Sequence, residues 1–168
     1  KVEQAKQRLK QADADLKTAD ARLKTAKTDV EDAKTAKTEA SKKATDAQAK
    51  ADKARTAYDK AQANADKAGK AYDAAQSDAT KTEADRQAVA DAKAKADQKA
   101  QSAADKLETA KAKAADADKA KADARAAYDA AVKEANAKKV AADAAKLQIA
   151  QGSLGFFRSR GSEDAVRC

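Results

Sequence analysis

The chain has 168 residues, 52 of them alanine, and its 36 Lys and Arg outnumber 28 Asp and Glu for a net charge of +8. Outside alanine only 19 residues are apolar, too few for the single core that a compact domain of this length buries. A membrane span needs about twenty consecutive apolar residues and none exists, so the composition points instead to the long-helix and coiled-coil class.

The first predicted element is a helical arm over residues 1–76. Stepping by seven from Ala5 through Ala12, Ala19, Ala26 and on to Ala75 meets alanine eleven times without a miss. A companion column starts at Val2 and reads Leu9, Leu16, Leu23, Val30, Lys37, Ala44, Ala51, Tyr58, Ala65 and Tyr72. The two columns lie three and four residues apart, the a and d positions of a heptad. Nothing alternates with period two, so strands are excluded. Alanine is the best helix former and Lys, Gln and Arg follow closely. A strict seven-residue repeat implies a left-handed supercoil. Alanine at d lets two backbones approach at the short end of the usual 8–10 Å range. Each buried methyl contributes only about 0.8 kcal/mol, so stability has to accumulate over length.

The second element is a turn at 77–83. Here the seam weakens to Ala79, Thr82, Arg86, Val89 and Lys93. Ser77 and Asp78 are preferred N-caps, and Thr80 with Glu83 fits a capping box. A chain folding back here sets a against d, with facing residue numbers summing to 154 or 161. Under the first sum Leu9 faces Ala145, Leu23 faces Ala131 and Ala26 faces Tyr128, large against small as good packing requires. Under the second, Asp13 and Asp20 meet Lys146 and Lys139, while Lys34 meets Arg125. The turn holds no glycine, although helical hairpin turns often use one, and Gly69 lies inside the helix at an e position. A continuous helix that pairs with a second copy is the alternative.

The third element is a second arm over 84–151. Its d column resumes with Ala96, Ala103, Ala110, Ala117, Ala124 and Ala131, and its a column carries Leu107, Tyr128 and Ile149. The residues expected to hold the seam are therefore Leu9, Ala12, Leu16, Ala19, Leu23, Ala26, Val30, Tyr58, Tyr72, Leu107, Tyr128 and Ile149. The three tyrosines occupy copies of one motif, Ala-Tyr-Asp, and all fall at a, where the ring fills the seam and the hydroxyl reaches water.

Residues 152–168 are a different material and predict a non-helical tail. Gly152 is the expected helix stop, and the Gly-Ser pairs with terminal Cys168 read as an appended or out-of-frame segment. The functional alternative is a short Phe156-Phe157 docking peptide with basic flanks. With one cysteine, no internal disulfide forms.

The chemistry-bearing residue types are missing. Without histidine, a glycine-rich phosphate loop or a cysteine cluster, the sequence predicts no enzyme, no cofactor and no metal site. Nucleic-acid binding needs basic residues gathered on one face, whereas acidic residues interrupt the lysines throughout, as in Asp13-Ala14-Asp15-Leu16-Lys17. Alanine methyls do not make the strong apolar face that membrane-surface binding requires. The expected partner is the chain itself, as an intramolecular hairpin or a homodimer.

Strings such as Lys53-Ala54-Arg55-Thr56-Ala57-Tyr58-Asp59-Lys60-Ala61-Gln62 resemble the alanine-rich helical regions of Gram-positive cell-wall proteins. The similar families are the surface-exclusion proteins and the antigen I/II adhesins, and the likeness covers residues 1–151. The resemblance implies an extracellular, wall-attached stalk that projects an adhesive or surface-exclusion domain, with a host or cell-surface ligand engaged through parts outside this sequence. In antigen I/II proteins the alanine-rich helix pairs with a proline-rich one, and this chain has no proline. No apolar leader and no sortase anchor motif are seen, so the expectation is a stalk without either end. Two other classes remain open: a TolA-like periplasm-spanning helix, and a late-embryogenesis-type desiccation protectant, whose repeat is about eleven residues.

Overall fold

The computed structural model describes residues 2–164, with side chains placed over 3–151. The chain is all-α: helix α1 spans Val2–Ser77 and helix α2 spans Glu83–Asp164. The two long helices pack against each other as an antiparallel hairpin, and no strand occurs among the described residues. Of the two arrangements left open by the heptads, the chain adopts the fold-back. Both helices begin with acidic residues, Glu3 in α1 and Glu83 and Asp85 in α2, where negative charge complements the helix dipole.

The connection occupies residues 78–82. Ser77 belongs to α1, and its Oγ donates to the Asp73 carbonyl at 2.9 Å instead of capping the next helix. Asp78 then takes over the turn. Its Oδ1 accepts from the Thr80 amide at 2.9 Å and from the Thr80 hydroxyl at 2.6 Å. The Lys81 amide donates to the Asp78 carbonyl at 3.2 Å. An Asp that binds the backbone two residues on makes a turn without glycine, and among the described residues no backbone has positive φ.

The capping box forms two residues later than Thr80 and Glu83 predict. Thr82 is the N-cap of α2: the Asp85 amide donates to Thr82 Oγ1 at 3.2 Å, and the Thr82 amide donates back to Asp85 Oδ2 at 3.1 Å. Thr80 is not free for that role, because Asp78 holds its amide and hydroxyl. The first α2 ladder bond, from the Arg86 amide to the Thr82 carbonyl at 3.1 Å, confirms the start.

The far end of α2 also differs from expectation. Gly152 does not end the helix, which runs on to Asp164. A glycine stops a helix by turning left-handed at the C′ position; kept helical, it costs only about 1 kcal/mol relative to alanine, and no proline follows to force a stop. Cys168 and the rest of 165–168 lie outside the described residues.

The hairpin divides into two compact units, one of Lys1–Thr38 with Asp123–Cys168 and one of Glu39–Ala122. Each contains a length of both helices. In each unit the core is a single line of alanines: Ala26 and Ala142 in the first, and Ala44, Ala51, Ala65, Ala75, Ala100 and Ala114 in the second. No larger side chain is fully buried among the described residues.

Candidate functional site

In a molecule of this kind the candidate site is the seam and the two grooves beside it. In the first unit Leu9, Ala12, Leu16, Ala19, Leu23 and Val30 lie half-buried along α1, with Ala26 buried among them. Tyr128 and Ile149 are half-buried on α2. In the second unit Tyr58, Tyr72 and Leu107 are half-buried. Of the twelve predicted residues, eleven are thus half-buried and Ala26 is buried. What the sequence did not indicate is which column packs most tightly. Six of the eight buried alanines are at a and only Ala26 and Ala75 are at d. The unbroken d column remains mostly half-buried, and burial is completed where the a residue is small too.

Contacts within each unit set the register. In the first unit Lys37 Nζ sits 4.3 Å from the Tyr128 ring centroid. Leu23 and Val30 share a groove with Val132, Ala135, Asn136 and Lys139. In the second unit Tyr58 and Ala65 share one with Asp97, Ala100 and Ala104. Facing numbers that sum to 161 account for these contacts, since Tyr128 then lies opposite Ala33, one turn from Lys37, and Leu23 lies opposite Lys138. A sum of 154 would put Tyr128 opposite Ala26, about three turns from Lys37. The pairings Leu9–Ala145, Leu23–Ala131 and Ala26–Tyr128 are therefore displaced by one heptad. The cause is the late capping box, which delays α2 until Glu83 and centres the turn near residue 80. Size alternation survives the shift, with Leu16 now opposite Ala145 and Ile149 opposite Ala12. Lys146 pairs with Asp20 at 3.6 Å, not with Asp13.

Four cations occupy the a column, and three find a partner specific to their position. Lys37 covers the Tyr128 ring, a cation–π contact that lets an ammonium sit on an apolar seam. Arg86 Nη2 donates to the Asp78 carbonyl at 3.2 Å, tying α2 to the turn, while its Nε is buried without a partner among the described residues. Lys93 Nζ donates to Asp97 at 2.7 Å. That hydrogen bond, then the charges of Asp97 and Asp73, raise the Lys93 pKa above its ordinary value. Lys121 is exposed. Of the four, only Arg86 and Lys93 fall where the heptad pattern weakens in the sequence.

The turn carries the other displaced acids. The Thr80 hydroxyl and amide hold Asp78 below the usual carboxylate range, and the Thr82 hydroxyl and amide do the same for Asp85. Among the described residues no group of three His, Cys, Asp or Glu is placed to hold a metal. None of the described helices is long and apolar enough to cross a membrane. No family model, curated protein or solved structure matches the chain.

Proposed function

We propose that this chain is a structural spacer: the stalk region of a bacterial cell-surface protein, holding an adhesive or surface-exclusion domain away from the wall. The observation that carries this reading is the seam. Two helices of 76 and 82 residues keep one heptad phase as far as Ile149, and among the described residues every buried one is an alanine. Such a seam encloses nothing. It fixes two backbones side by side at a cost in sequence so low that it can be extended heptad by heptad. At 1.5 Å per residue each helix has a contour of about 115–125 Å, longer than catalysis or small-ligand binding requires. The resemblance to alanine-rich wall-protein regions supplies the cellular setting.

The test has two parts. Small-angle scattering with light-scattering mass, in reductant, is expected to return a monomer near 115 Å; a dimer would make pairing with a second chain part of the function. Fractionation of the source cells is expected to place the chain in the wall fraction, accessible to added protease. Recovery from the periplasm would favour the TolA-like class. A chain without helical circular dichroism in dilute buffer would point to the desiccation protectant.

A further inference from the structure

The lysines and carboxylates that alternate along the chain separate once the hairpin forms. In the Glu39–Ala122 unit, the groove lined by Lys43, Lys50, Lys106 and Lys113 over a floor of Ala47 and Ala110 places the g and c positions of both arms on one side. The opposite groove joins the e and b positions, with Gln48, Asp52 and Asp118 together at one level and Gln62, Asp97 and Gln101 at another.

Reading those columns gives two unlike faces. On α1 the g and c positions from 43 to 67 hold Lys43, Lys50, Lys53, Lys60 and Lys67. On α2 those from 95 to 113 hold Lys95, Lys99, Lys106 and Lys113. Over the whole unit the carboxylates at these positions are Glu39, Asp46 and Asp116, with Asp78 and Asp85 beside the turn; Asp105 reaches the rim from an f position, where Gln101 Nε2 donates to it at 2.9 Å. The e and b face instead carries Asp52, Asp59, Asp66 and Asp73 on α1, with Asp97, Glu108 and Asp118 on α2, against Arg55 and Lys111. All nine lysines of the first face are exposed, and none makes an ion pair or hydrogen bond among the described residues. An unneutralised lysine column held at heptad spacing has no structural purpose in the hairpin, because like charges along it repel.

We infer that this lysine-walled, alanine-floored groove is a binding surface for a flexible, linear polymer of linked phosphates, recognised by its charge. Two occupants compete on electrostatic grounds, and their magnitudes separate them. A second copy could set its acidic face against the lysines. Exposed Lys–carboxylate pairs are worth about 0–1 kcal/mol each, however, and Arg55 and Lys111 interrupt the acidic column. A polyphosphate chain brings a condensed counterion layer whose release drives binding with each phosphate neutralised. The three tyrosines lie at a, with Tyr58 opening towards the e and b groove, so the lysine groove offers no ring on which a base would stack. The ligand read here is the backbone charge and not the base. Because the groove is lined from both helices and opens between them, it follows a single flexible strand better than a rigid duplex.

The test is titration of the full chain with inorganic polyphosphate across a salt series. Its variants are K43Q/K50Q/K106Q/K113Q and a control, K10Q/K17Q/K24Q/K133Q, which removes equal charge elsewhere. Lys and Gln have nearly equal helix propensity, so unchanged helical circular dichroism confirms that both fold. The expected result is a loss of roughly tenfold or more for the groove variant, with the salt slope reduced by about 3, and less than a twofold loss for the control. Equal losses would overturn the proposal, reducing it to net charge. So would the absence of binding at low salt. Tighter binding of a short DNA duplex than of polyphosphate at matched charge would replace the flexible strand with duplex nucleic acid. A mass that doubles at low salt without ligand, and halves in the groove variant, would replace it with a second copy.

Discussion

Thr82 and Asp85 hold each other at the start of α2. The hydroxyl donates to Asp85 Oδ2 at 2.8 Å while accepting the Asp85 amide at 3.2 Å. This reciprocal cap fixes where the second arm begins and hence which heptads face each other. Thr82→Ala removes the side-chain oxygen and is expected to cost about 1 kcal/mol, a fall of about 2–4 °C in melting temperature for a chain of this size. Thr82→Ser should restore most of it. Thermal melts followed at 222 nm check both, and an unchanged midpoint for the alanine variant would remove the cap from the account.

The same turn makes a pH prediction. Asp78 and Asp85 both have folded pKa values below the ordinary 3.8, chiefly through the hydroxyls of Thr80 and Thr82. A carboxylate with a depressed folded pKa binds fewer protons when folded than when unfolded, so its stabilisation is present above its unfolded pKa. It is lost as pH falls through the folded value. Melting temperature should therefore decline as the solution is acidified below about pH 4, and the decline should be shallower in D78N/D85N than in the parent. Parallel acid limbs would show that other groups govern the transition.

Heptad phase located the seam, because burial in a two-helix hairpin is set by angle around the helix, and the angle is fixed by residue number. Ala26 and Ala142 are buried on the phase that Ala5 and Val2 start. Register was not legible, since alanine faces alanine equally well one heptad away, and only the position of the cap chooses between 154 and 161. That choice hinged on Thr80 or Thr82, which look alike in sequence until Asp78 claims one of them. The lysine face was hidden for another reason. Asp52 and Lys53 are neighbours in the chain but lie on opposite grooves, so reading charges in order mixes what the fold separates.

Leu23 tests the seam directly. It is half-buried and lines a groove with Val30, Val132 and Ala135. Leu23→Asp removes about half of a leucine's burial, on the order of 1 kcal/mol, and adds a charge facing that apolar patch. The expected result is lost helicity on mild heating, with Leu16→Asp behaving alike. An unaltered melt for both would count against the seam.

Gly69 predicts a gain. It lies within α1 at an e position, half-buried, and a Cβ added there meets nothing within 4 Å. Its φ is not positive, so alanine fits without strain. Gly69→Ala should stabilise the hairpin by about 1 kcal/mol through helix propensity alone. A lower midpoint in the alanine variant would mean that the open space at Gly69 serves a close approach.

Ala142 predicts the reverse and probes the logic of the seam. It is 0% exposed, the most deeply buried of the core alanines, whereas Gly69 has room beside it. Adding three carbons at Ala142 forces the helices apart locally or drives neighbours off their rotamers, a cost of about 1–3 kcal/mol. By hydrophobicity alone Ala142→Leu would stabilise, because it offers more apolar surface to bury. The two accounts therefore differ in sign. A lowered melting temperature for Ala142→Leu, beside a raised one for Gly69→Ala, would establish that close approach of the backbones holds this hairpin together. A raised midpoint for Ala142→Leu would show instead that the seam is limited by its small apolar area.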